Sequence, residues 1–599
     1  MKKILIGLIV LLVLLPVFAS AATYYVSTTG SDTNPGTQVQ PWKTIAKVNA
    51  LSFSPGDFIL FKRGETWSET LIPPSSGSAG SPITFGAYGT GDLPTIDGSG
   101  RNYCVEGKKD YITITDLHFK TPNKYCIAHT RWNSNGTELS TPGWIIKNSI
   151  FTNCGVYLFG PNTIVQDNVF VGPSPITGPD GAIIIHGLVA VNCSALRNTV
   201  SGYNARGIWF YNGADSPTAN DNIIHDITHT VGAEGEGYGI NFDGYGLPIT
   251  GTVTASRNTI YNCDGPGIFL ENCVDASLVN RNLVHDCTET GWASGVGYMN
   301  YAASSRYPDQ RGLDVNALVA HNIIYQCRYG IRLDDASGVD IWNNVIYDGV
   351  GAYPAGLIIF DAGTYFVDNI DFRNNIIGSG MARSISANYA WENHFSAFDN
   401  NAVANPVFEE RNPKASLTLA QLQASGSALN CFTTSPGFAD AVGHDFHLLP
   451  SSPCINKGAN VGLTQDYEGN IVPQSAAPDI GAYEYTSGSQ PPPACTEADW
   501  THTDGACQPS NTLTRTWTKS NSNCQGGVSH PASETVSCAY VPPNVPGDLN
   551  NNGKVDVSDI VIVASDFGKT SGFNNAKSDT NNDLIVDIFD VVYVASRFT

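Results

Sequence analysis

Two short segments near the carboxyl end of the chain carry oxygen-bearing side chains at a repeated spacing. In each twelve-residue loop, Asp or Asn occupies positions 1, 3, 5, 9 and 12. Oxygen ligands at these positions, with the carbonyl of position 7, wrap around one calcium ion. The predicted ligands are Asp548, Asn550, Asn552, Lys554, Asp556 and Asp559 in the first loop and Asp579, Asn581, Asp583, Ile585, Asp587 and Asp590 in the second. Leu584 stands where a glycine would ease the sharp turn, so we expect a weaker second site.

A second set of candidate side chains lies on short alternating segments in the middle of the chain. Because side chains alternate along a strand, Ile208, Ile240 and their counterparts share an inner face, and the residues beside them face outward. The outward residues combine carboxylates with aromatic rings, which suits a groove for a glycan. The candidate catalytic residues are Asp243, Glu271, Asp334 and Arg332, and the candidate substrate-binding residues are Trp209, Tyr211, Asn241 and Phe269.

The elements that must position these residues form a repeat. An x-Asn-x-hydrophobic pattern recurs with spacings from 20 residues (Asn148 to Asn168) to 40 residues (Asn282 to Asn322). The short spacings indicate one structural unit, and the long ones indicate the same unit with an inserted loop. The repeated asparagines are Asn148, Asn168, Asn198, Asn222, Asn258, Asn282, Asn322, Asn344 and Asn375.

After most of these asparagines comes Gly followed by Ile or Leu and an alternating strand, as in Gly207-Ile208 and Gly239-Ile240. Short strands of this kind bury their apolar faces only by stacking on neighbouring turns. The pattern therefore predicts an all-β solenoid, a right-handed parallel β-helix in which asparagines hydrogen-bond along the stack. A β-propeller or a leucine-rich repeat would show longer blades or an L-x-x-L-x-L pattern.

The asparagine repeat and the Gly-Ile strands resemble the pectate-lyase-like right-handed β-helix family. The segments Thr23–Ser27 and Pro41–Ile45 resemble its amino-terminal cap, with a plugging helix expected at about Trp42 to Leu51. The segment from Asp445 to Tyr485 resembles its carboxyl-terminal closure. This family includes lyases, hydrolases, epimerases and non-catalytic adhesins, so the resemblance implies the fold rather than one activity.

Two reaction types remain open for the outward residues. In hydrolysis, two carboxyl groups flank the scissile bond, and Asp243 with Glu271 is the preferred pair, with Asp334 as an alternate. By resemblance to β-helix lyases, calcium bound at these carboxylates would acidify a proton beside a uronate carboxylate, and Arg332 would be the base or would neutralise charge. The competing interpretation is solvated charge on an exposed sheet.

The duplicated calcium loops, each leading into an apolar-faced helix, resemble a type I dockerin. Asp at position 12, where an ordinary EF-hand has Glu, also fits that family. The resemblance implies docking to a cohesin domain on a scaffold or surface protein. Positions 10 and 11, which help to choose the partner in dockerins, are Val557-Ser558 in one loop and Ile588-Phe589 in the other.

Between two Pro-rich linkers lies a short segment with four cysteines, which predicts two disulfides of open pairing. These cysteines are Cys495, Cys507, Cys524 and Cys538. The spacing of Trp500, Arg515 and Trp517 is similar to that of thrombospondin type 1 repeats, in which such side chains stack. A disulfide-stapled spacer is the alternative.

The chain begins with Met1-Lys2-Lys3, an apolar run and Ala19-Ser20-Ala21, which is typical of a secretory signal peptide. We therefore expect a secreted protein without a membrane span. With 54 acidic and 32 basic residues, its net charge of −22 argues against nucleic acid as a partner. Cys263, Cys287 and Cys327 are expected to stack on successive turns, as buried thiols or with one disulfide.

These observations predict eight regions: a signal peptide (1–21), the amino-terminal cap and first strands (22–97), the β-helix coils (98–408), the closure (409–485), a linker (486–494), the thrombospondin type 1-like module (495–538), a linker (539–546) and the dockerin-like module (547–599). The predicted function is polysaccharide degradation by a secreted lyase or glycoside hydrolase that is attached through calcium-dependent docking. The alternatives are a non-catalytic carbohydrate-binding or adhesive protein and, more weakly, a structural spacer.

Overall fold

A computed structural model describes residues 21–598 except for 131–138, 173–180, 188–189, 230–236, 245, 289–292, 301–313, 352, 361–366, 389–392, 412–413, 487–494, 509, 521–529, 531–532 and 539–544. The predicted signal peptide thus lies almost wholly outside the described residues. The chain divides into two compact units, Met1–Ser487 and Gly488–Thr599. No helix among the described residues is long and apolar enough to cross a membrane.

The first unit is built from three long sheets. The first sheet contains, in order, Thr23–Val26, Phe58–Lys62, Ile83–Tyr88, Ile112–Thr115, Ile145–Lys147, Ile164–Gln166, Ser194–Leu196, Thr218–Asn220, Thr252–Ser256, Ala276–Asn280, Asp314–Ala320, Ser337–Trp342, Ile370–Arg373 and Phe395–Asp399. The second contains Thr66–Trp67, Thr95–Asp97, His118–Lys120, Ile150–Thr152, Val169–Val171, Thr199–Ser201, Ile223–Ile227, Thr259–Cys263, Leu283–Cys287, Ile323–Tyr325, Val345–Tyr347, Ile376–Ile377 and Ala402–Val403. The third contains Tyr103–Gly107, Tyr125–His129, Val156–Leu158, Ile183–His186, Arg206–Tyr211, Tyr238–Asp243, Ile268–Glu271, Ser294–Met299, Tyr329–Asp334, Ala355–Phe360, Arg383–Ala387, Val407–Arg411 and Lys414–Thr418.

Nearly every pair of neighbouring strands in these sheets is parallel, and each turn of the chain adds one strand to each sheet. Ile208 lies opposite Ile240, and Ile240 opposite Ile268, on the inner face. The parallel β-helix predicted from the repeat is therefore confirmed. The apolar core runs along its axis because inward side chains of all three sheets meet there.

A ladder of buried polar side chains stabilises the bend between the first and second sheets. Asn198 Oδ1 accepts hydrogen bonds from Asn168 N at 3.2 Å and from Asn168 Nδ2 at 3.1 Å, and the same contacts recur at each turn. The predicted first member, Asn148, was wrong: Ser149 fills that position, donating its N–H to Asn168 Oδ1 at 3.0 Å. The ladder also extends one turn further, to Asn401. Its asparagines are Asn168, Asn198, Asn222, Asn258, Asn282, Asn322, Asn344, Asn375 and Asn401.

The motif glycines lie at the corner between the second and third sheets. A Cβ at Gly207 would come within 2.7 Å of the Ile224 side chain, and one at Gly239 within 2.5 Å of Ile260. Only a residue without a side chain fits where the third-sheet strand passes this isoleucine. Close packing between sheets therefore explains the Gly-Ile signature.

Short elements cover the ends of the solenoid. Helix α1 (Ile45–Asn49), shorter than the predicted helix, buries Ile45 and Val48 in the core. At the other end, helix α2 (Leu419–Ala424) follows the antiparallel pair formed by the last two third-sheet strands and buries Leu419 and Leu422. The strands Phe438–Asp440 and Asp445–Leu448 pair in the closure, which packs on outward side chains of the second sheet.

The described part of the second unit contains an antiparallel sheet and two helices. A 3-10 turn (Glu497–Asp499) precedes the strands Trp500–Asp504, Thr512–Lys519 and Ser533–Ser537, and α3 (Val557–Asp566) and α4 (Ile588–Ala595) follow. Cys507 and Cys538 form a disulfide, and Cys495 is also disulfide-bonded. The fourth predicted cysteine, Cys524, lies outside the described residues.

Candidate functional site

The predicted site residues lie at equivalent positions of successive turns on the outer face of the third sheet. One column reads Trp209, Asn241, Phe269, Gly297 and Arg332, and the next reads Tyr211, Asp243, Glu271, Met299 and Asp334. Asp243 and Glu271 are thus one strand apart, about 4.8 Å between Cα atoms. The strand Ser294–Met299, which the sequence analysis did not recognise, separates Glu271 from Asp334 by two spacings, about 10 Å.

These side chains point away from the core yet are buried. The exposed fraction is 5% for Asp243 and 6% for each of Glu271 and Asp334. Burying a carboxylate costs free energy unless other groups compensate for lost hydration. The interpretation of these three carboxylates as solvated surface charge is therefore wrong.

Asp243 belongs to a polar network that includes an arginine missed by the sequence analysis. Trp209 Nε1 donates to Asp243 Oδ2 at 3.2 Å, and Arg206 Nη2 lies 3.9 Å from the same oxygen. Arg206 also donates from Nε to Asn241 Oδ1 at 3.0 Å and stacks 3.8 Å over the Trp209 ring. Its position directly before the motif residue Gly207 is the signal that marks it in the sequence.

Asp334 forms an ion pair with Arg332, the arginine predicted to be catalytic. Arg332 donates from Nε to Asp334 Oδ2 at 2.9 Å, and its guanidinium stacks 4.4 Å from the Phe360 ring centroid. Burial raises the pKa of Asp334 to about 6, although Arg332 acts in the opposite direction. The group thus keeps its proton to a higher pH than an ordinary aspartate does. A guanidinium bound in this way is poorly disposed to act as a base.

The outward aromatic rings pack against one another. Phe269 stacks on Tyr238 with centroids 5.2 Å apart and contacts Met299. Tyr211 stacks on His186 at 5.0 Å. Tyr238 was absent from the predicted site because it precedes the motif glycine Gly239, and Met299 because its strand was not recognised from the sequence.

The two predicted calcium loops have the same backbone turn. Asp548 Oδ2 accepts from the Gly553 N–H at 2.7 Å, and Asp579 Oδ2 accepts from the Leu584 N–H at 2.8 Å. Gly553 has φ of 87° and Leu584 has φ of 72°. Leu584 therefore adopts the left-handed conformation that glycine favours, at a cost of about 1–2 kcal/mol.

The carboxylates that end each loop bind backbone amides. Asp559 Oδ1 accepts from Leu549 N at 2.8 Å, and Asp590 Oδ1 accepts from Thr580 N at 2.7 Å. In the part of the chain that the structure describes, no three His, Cys, Asp or Glu side chains lie close enough to hold a metal ion. The donor set nevertheless suits calcium, because both loops supply hard oxygens and each carboxylate oxygen can accept more than one contact.

In the small module, a histidine joins the predicted stack. The His530 ring lies 3.6 Å from the Trp517 ring and 5.4 Å from that of Trp500. Arg515 donates from Nε to Asp504 at 2.7 Å, with its guanidinium 5.9 Å from the Trp517 centroid. The His530 ring was not among the residues on which the resemblance to thrombospondin type 1 repeats is based.

The stacked cysteines of the solenoid are thiols. Cys263 lies opposite Cys287, and both, like Cys327, are free and buried. Of the two predicted alternatives, buried thiols are confirmed. A disulfide joins Cys126 and Cys154 on neighbouring turns nearer the amino end.

Comparison with known proteins agrees with this architecture. The family model described as right handed beta helix region matches residues 133–308. The first unit of this chain is a right-handed parallel β-helix. The Bacillus subtilis (strain 168) protein YwoF, named as uncharacterized, is 22% identical over 488 residues, which cover 72% of this chain and 91% of that protein.

Solved structures similar to this β-helix include XylC with xylose, at 14% identity and a TM-score of 0.41, covering 64% of this chain and 83% of that chain. A rhamnogalacturonan lyase is 14% identical with a TM-score of 0.38, covering 58% of this chain and 87% of that chain.

Proposed function

We propose that this protein is a carbohydrate-active enzyme that cleaves glycosidic bonds on the outer face of its third sheet. The observation that carries the proposal is a single column holding three buried carboxylates, Asp243, Glu271 and Asp334. In Asp334, burial raises the pKa to about 6. A protonated carboxyl beside other carboxylates is the arrangement that glycoside hydrolysis uses.

Hydrolysis fits these contacts better than elimination does. Arg332, which a lyase would use as the base, donates to Asp334 and stacks on Phe360. Asp334, whose pKa is raised to about 6, is instead suited to act as a general acid below that pH. Carboxyl groups about 5 Å apart predict retention of anomeric configuration, whereas a separation of about 6.5–9.5 Å predicts inversion. Retention would identify Asp243 with Glu271 as the reacting pair, and inversion would identify Glu271 with Asp334.

Non-catalytic glycan binding is the second candidate, and the outward rings favour it. Neighbouring rings continue along the same face toward the amino end, from Tyr211 through His186 and Tyr157 to Tyr125. Aromatic faces and edges of this kind support carbohydrate contacts without chemistry. A thrombospondin type 1-like role for the small module would likewise be one of binding.

We further propose that the protein is secreted and docks through its terminal module. Two calcium ions would be held by the paired loops, and a cohesin domain of a scaffold or surface protein would be the partner. Exposed apolar side chains on both helices support such docking, among them Val557, Val561, Ile588, Phe589 and Val592. Docking would hold the enzyme near an insoluble polysaccharide.

The test uses the full chain on neutral and acidic polysaccharides, with and without calcium. New reducing ends without absorbance from unsaturated products would support hydrolysis, whereas reducing ends with that absorbance would indicate a lyase. Asp243→Asn, Glu271→Gln and Asp334→Asn should each abolish turnover. Full activity in all three variants would refute the site, and binding without cleavage would favour the second candidate.

A further inference from the structure

A cleft lies at the carboxyl-terminal end of the β-helix, where its last turn meets the closure. Asn400 belongs to the bend between the last strands of the first and second sheets, and Phe432 pairs with Ala402 of that turn. The volume of the cleft is about 370 Å³, within the range of about 300–1,000 Å³ that is usual for ligand sites. Its lining includes Asn400, Asn430, Phe432, Thr434, Asn456 and Lys457.

Two asparagines supply fixed hydrogen-bond acceptors to this cleft. Asn400 Nδ2 donates to Lys457 O at 2.8 Å. Asn430 donates from Nδ2 to Asp399 Oδ2 at 2.7 Å and from its backbone N to Asp399 Oδ1 at 2.6 Å. Because the amide nitrogen is engaged in both residues, the side-chain oxygen is the atom that is left to accept from a ligand.

The same cleft contains hydrogen-bond donors. Asn456 Oδ1 accepts from Ala477 N at 3.2 Å, which leaves Asn456 Nδ2 to donate. Thr434 and Lys457 are exposed, and within the described part of the chain their side chains form no hydrogen bond and no ion pair. Donors and acceptors thus lie side by side, and a hydroxyl group is a partner that uses both.

An aromatic ring adds an apolar side to the cleft. Phe432 is half-buried and packs against the apolar cluster of the closure. An apolar ring beside convergent polar groups suits a sugar, which has a C–H face and a rim of hydroxyls. The nearby charges are of both signs, since Asp399 and Asp479 bind backbone amides beside the Lys457 ammonium. They therefore admit neutral and acidic sugars alike.

A second cleft adjoins the first and extends the surface. Its volume is about 290 Å³, and Phe395, Asp399 and Leu429 are among its lining residues. Asp399 and Leu429 directly precede Asn400 and Asn430 of the first cleft, and Leu429 is 62% exposed. Two adjacent clefts fit successive rings of one chain.

We propose that these two clefts form a glycan-binding site, separate from the carboxylates of the third sheet, that holds successive rings of a polysaccharide. Asn400 and Asn430 accept from sugar hydroxyls, Asn456 and Lys457 donate to them, and Phe432 contacts the C–H face of a ring. The site goes beyond the proposed catalysis, because it needs no reacting group. A glycan bound there is kept at a high local concentration near the third sheet.

The test is calorimetric titration of the full chain with cellohexaose, xylohexaose, mannohexaose and hexagalacturonate, followed by hydrogen exchange with each sugar that binds. The neutral and acidic sugars distinguish the two kinds of glycan that the cleft admits. At least one should bind and slow the exchange of backbone amides in residues 430–434 and 453–458. Binding by none of the four, or protection confined to the strands of the third sheet, would overturn the proposal.

Thr434→Trp fills the first cleft with a large side chain. It should weaken hexasaccharide binding at least tenfold and leave Tm unchanged, because the exposed threonine side chain has no hydrogen bond to lose. The matched control is Thr90→Trp, at an exposed threonine in the amino-terminal part of the β-helix, which should leave both quantities unchanged.

Lys457→Ala is a milder second variant. It keeps the backbone carbonyl that accepts from Asn400 and removes only an ammonium without an ion pair, so binding should weaken about three- to tenfold. Unchanged binding in both Thr434→Trp and Lys457→Ala would contradict the site.

Asp243→Asn separates this site from the proposed catalytic one. The change should stop turnover and leave the sugar-induced protection of residues 430–434 intact. Protection without turnover in the unmodified chain would retain the glycan-binding site and refute catalysis. Turnover without protection of these residues would refute the glycan-binding site and retain the enzyme.

Discussion

Asp334 unites three properties expected of a proton donor: deep burial, an ion pair with Arg332 and a pKa raised to about 6. Burial disfavours the charged carboxylate, while Arg332 offsets only part of that cost. Leu584 shows a different residue-scale effect, since one side chain is held in a left-handed backbone conformation. Both residues allow direct tests.

The rate of glycan cleavage should depend on the protonation of Asp334. Because a general acid must carry its proton, kcat should be highest below about pH 6 and fall as the pH rises through that value. Asp334→Asn should lower kcat by at least about 100-fold and remove this limb from the pH profile. Asp340→Asn is the matched control, because burial and Asp371 also raise the pKa of Asp340 to about 6, on a different sheet. An unchanged profile in Asp334→Asn would exclude it as the acid.

Leu584→Gly should relieve backbone strain in the second loop. The substitution should stabilise the terminal module by about 1 kcal/mol and tighten its weaker calcium site, since glycine adopts positive φ without steric cost. Calorimetric calcium titration and thermal melting would measure both effects. Gly553→Leu in the first loop, where φ is 87°, should have the opposite effect, and equal effects of the two changes would contradict the interpretation.

At the scale of elements, the asparagine ladder joins the turns of the β-helix. Each asparagine binds the turns on both sides of it, and the first position holds Ser149 because a hydroxyl and backbone N–H suffice at the end of the row. The motif glycines act at another corner by allowing the second and third sheets to approach closely. The asparagine ladder and the motif glycines therefore fix two of the bends in each turn. These bends place the outward residues of the third sheet in columns.

Asn258→Ala should destabilise the β-helix by about 2–4 kcal/mol, because it leaves buried groups on neighbouring turns unpaired. Asn258 Nδ2 donates to Ala219 O at 2.8 Å, and Asn258 Oδ1 accepts from Asn222 N at 3.0 Å. Denaturant unfolding followed by circular dichroism would measure the change. Asn460→Ala, at an exposed asparagine, is the control and should have little effect. Similar stability of the two variants would argue against a ladder that holds the turns together.

At the scale of the whole molecule, the chain consists of two compact units with different sources of stability. The first has a continuous apolar core, whereas the helices α3 and α4 share a small one that includes Val555, Val563, Val586 and Val594. So small a core is typical of modules that depend on a bound metal ion for folding.

Removal of calcium should therefore unfold the terminal module selectively. With the full chain in a chelator, hydrogen exchange should become fast in α3 and α4 while the β-helix strands keep their protection. Restoring calcium should restore protection. Protection of both helices that is unchanged by chelation would refute the calcium assignment.

The repeat in the sequence by itself determined the solenoid, its inward isoleucines and most of the asparagine ladder. Strand alternation and the spacing of Asn and Gly are local properties, so they can be recognised in a single sequence. The same alternation predicted that Asp243 and Glu271 would face outward together. Inserted segments of unequal length concealed the strand Ser294–Met299, and with it the true distance from Glu271 to Asp334.

Only the tertiary structure decided how these outward residues are surrounded. Burial, the pKa of Asp334 and the contacts of Arg206 arise between turns that are distant in sequence, so no local spacing encodes them. The physical reason is that side-chain direction follows from the local backbone, whereas desolvation and pairing depend on every group that packs nearby.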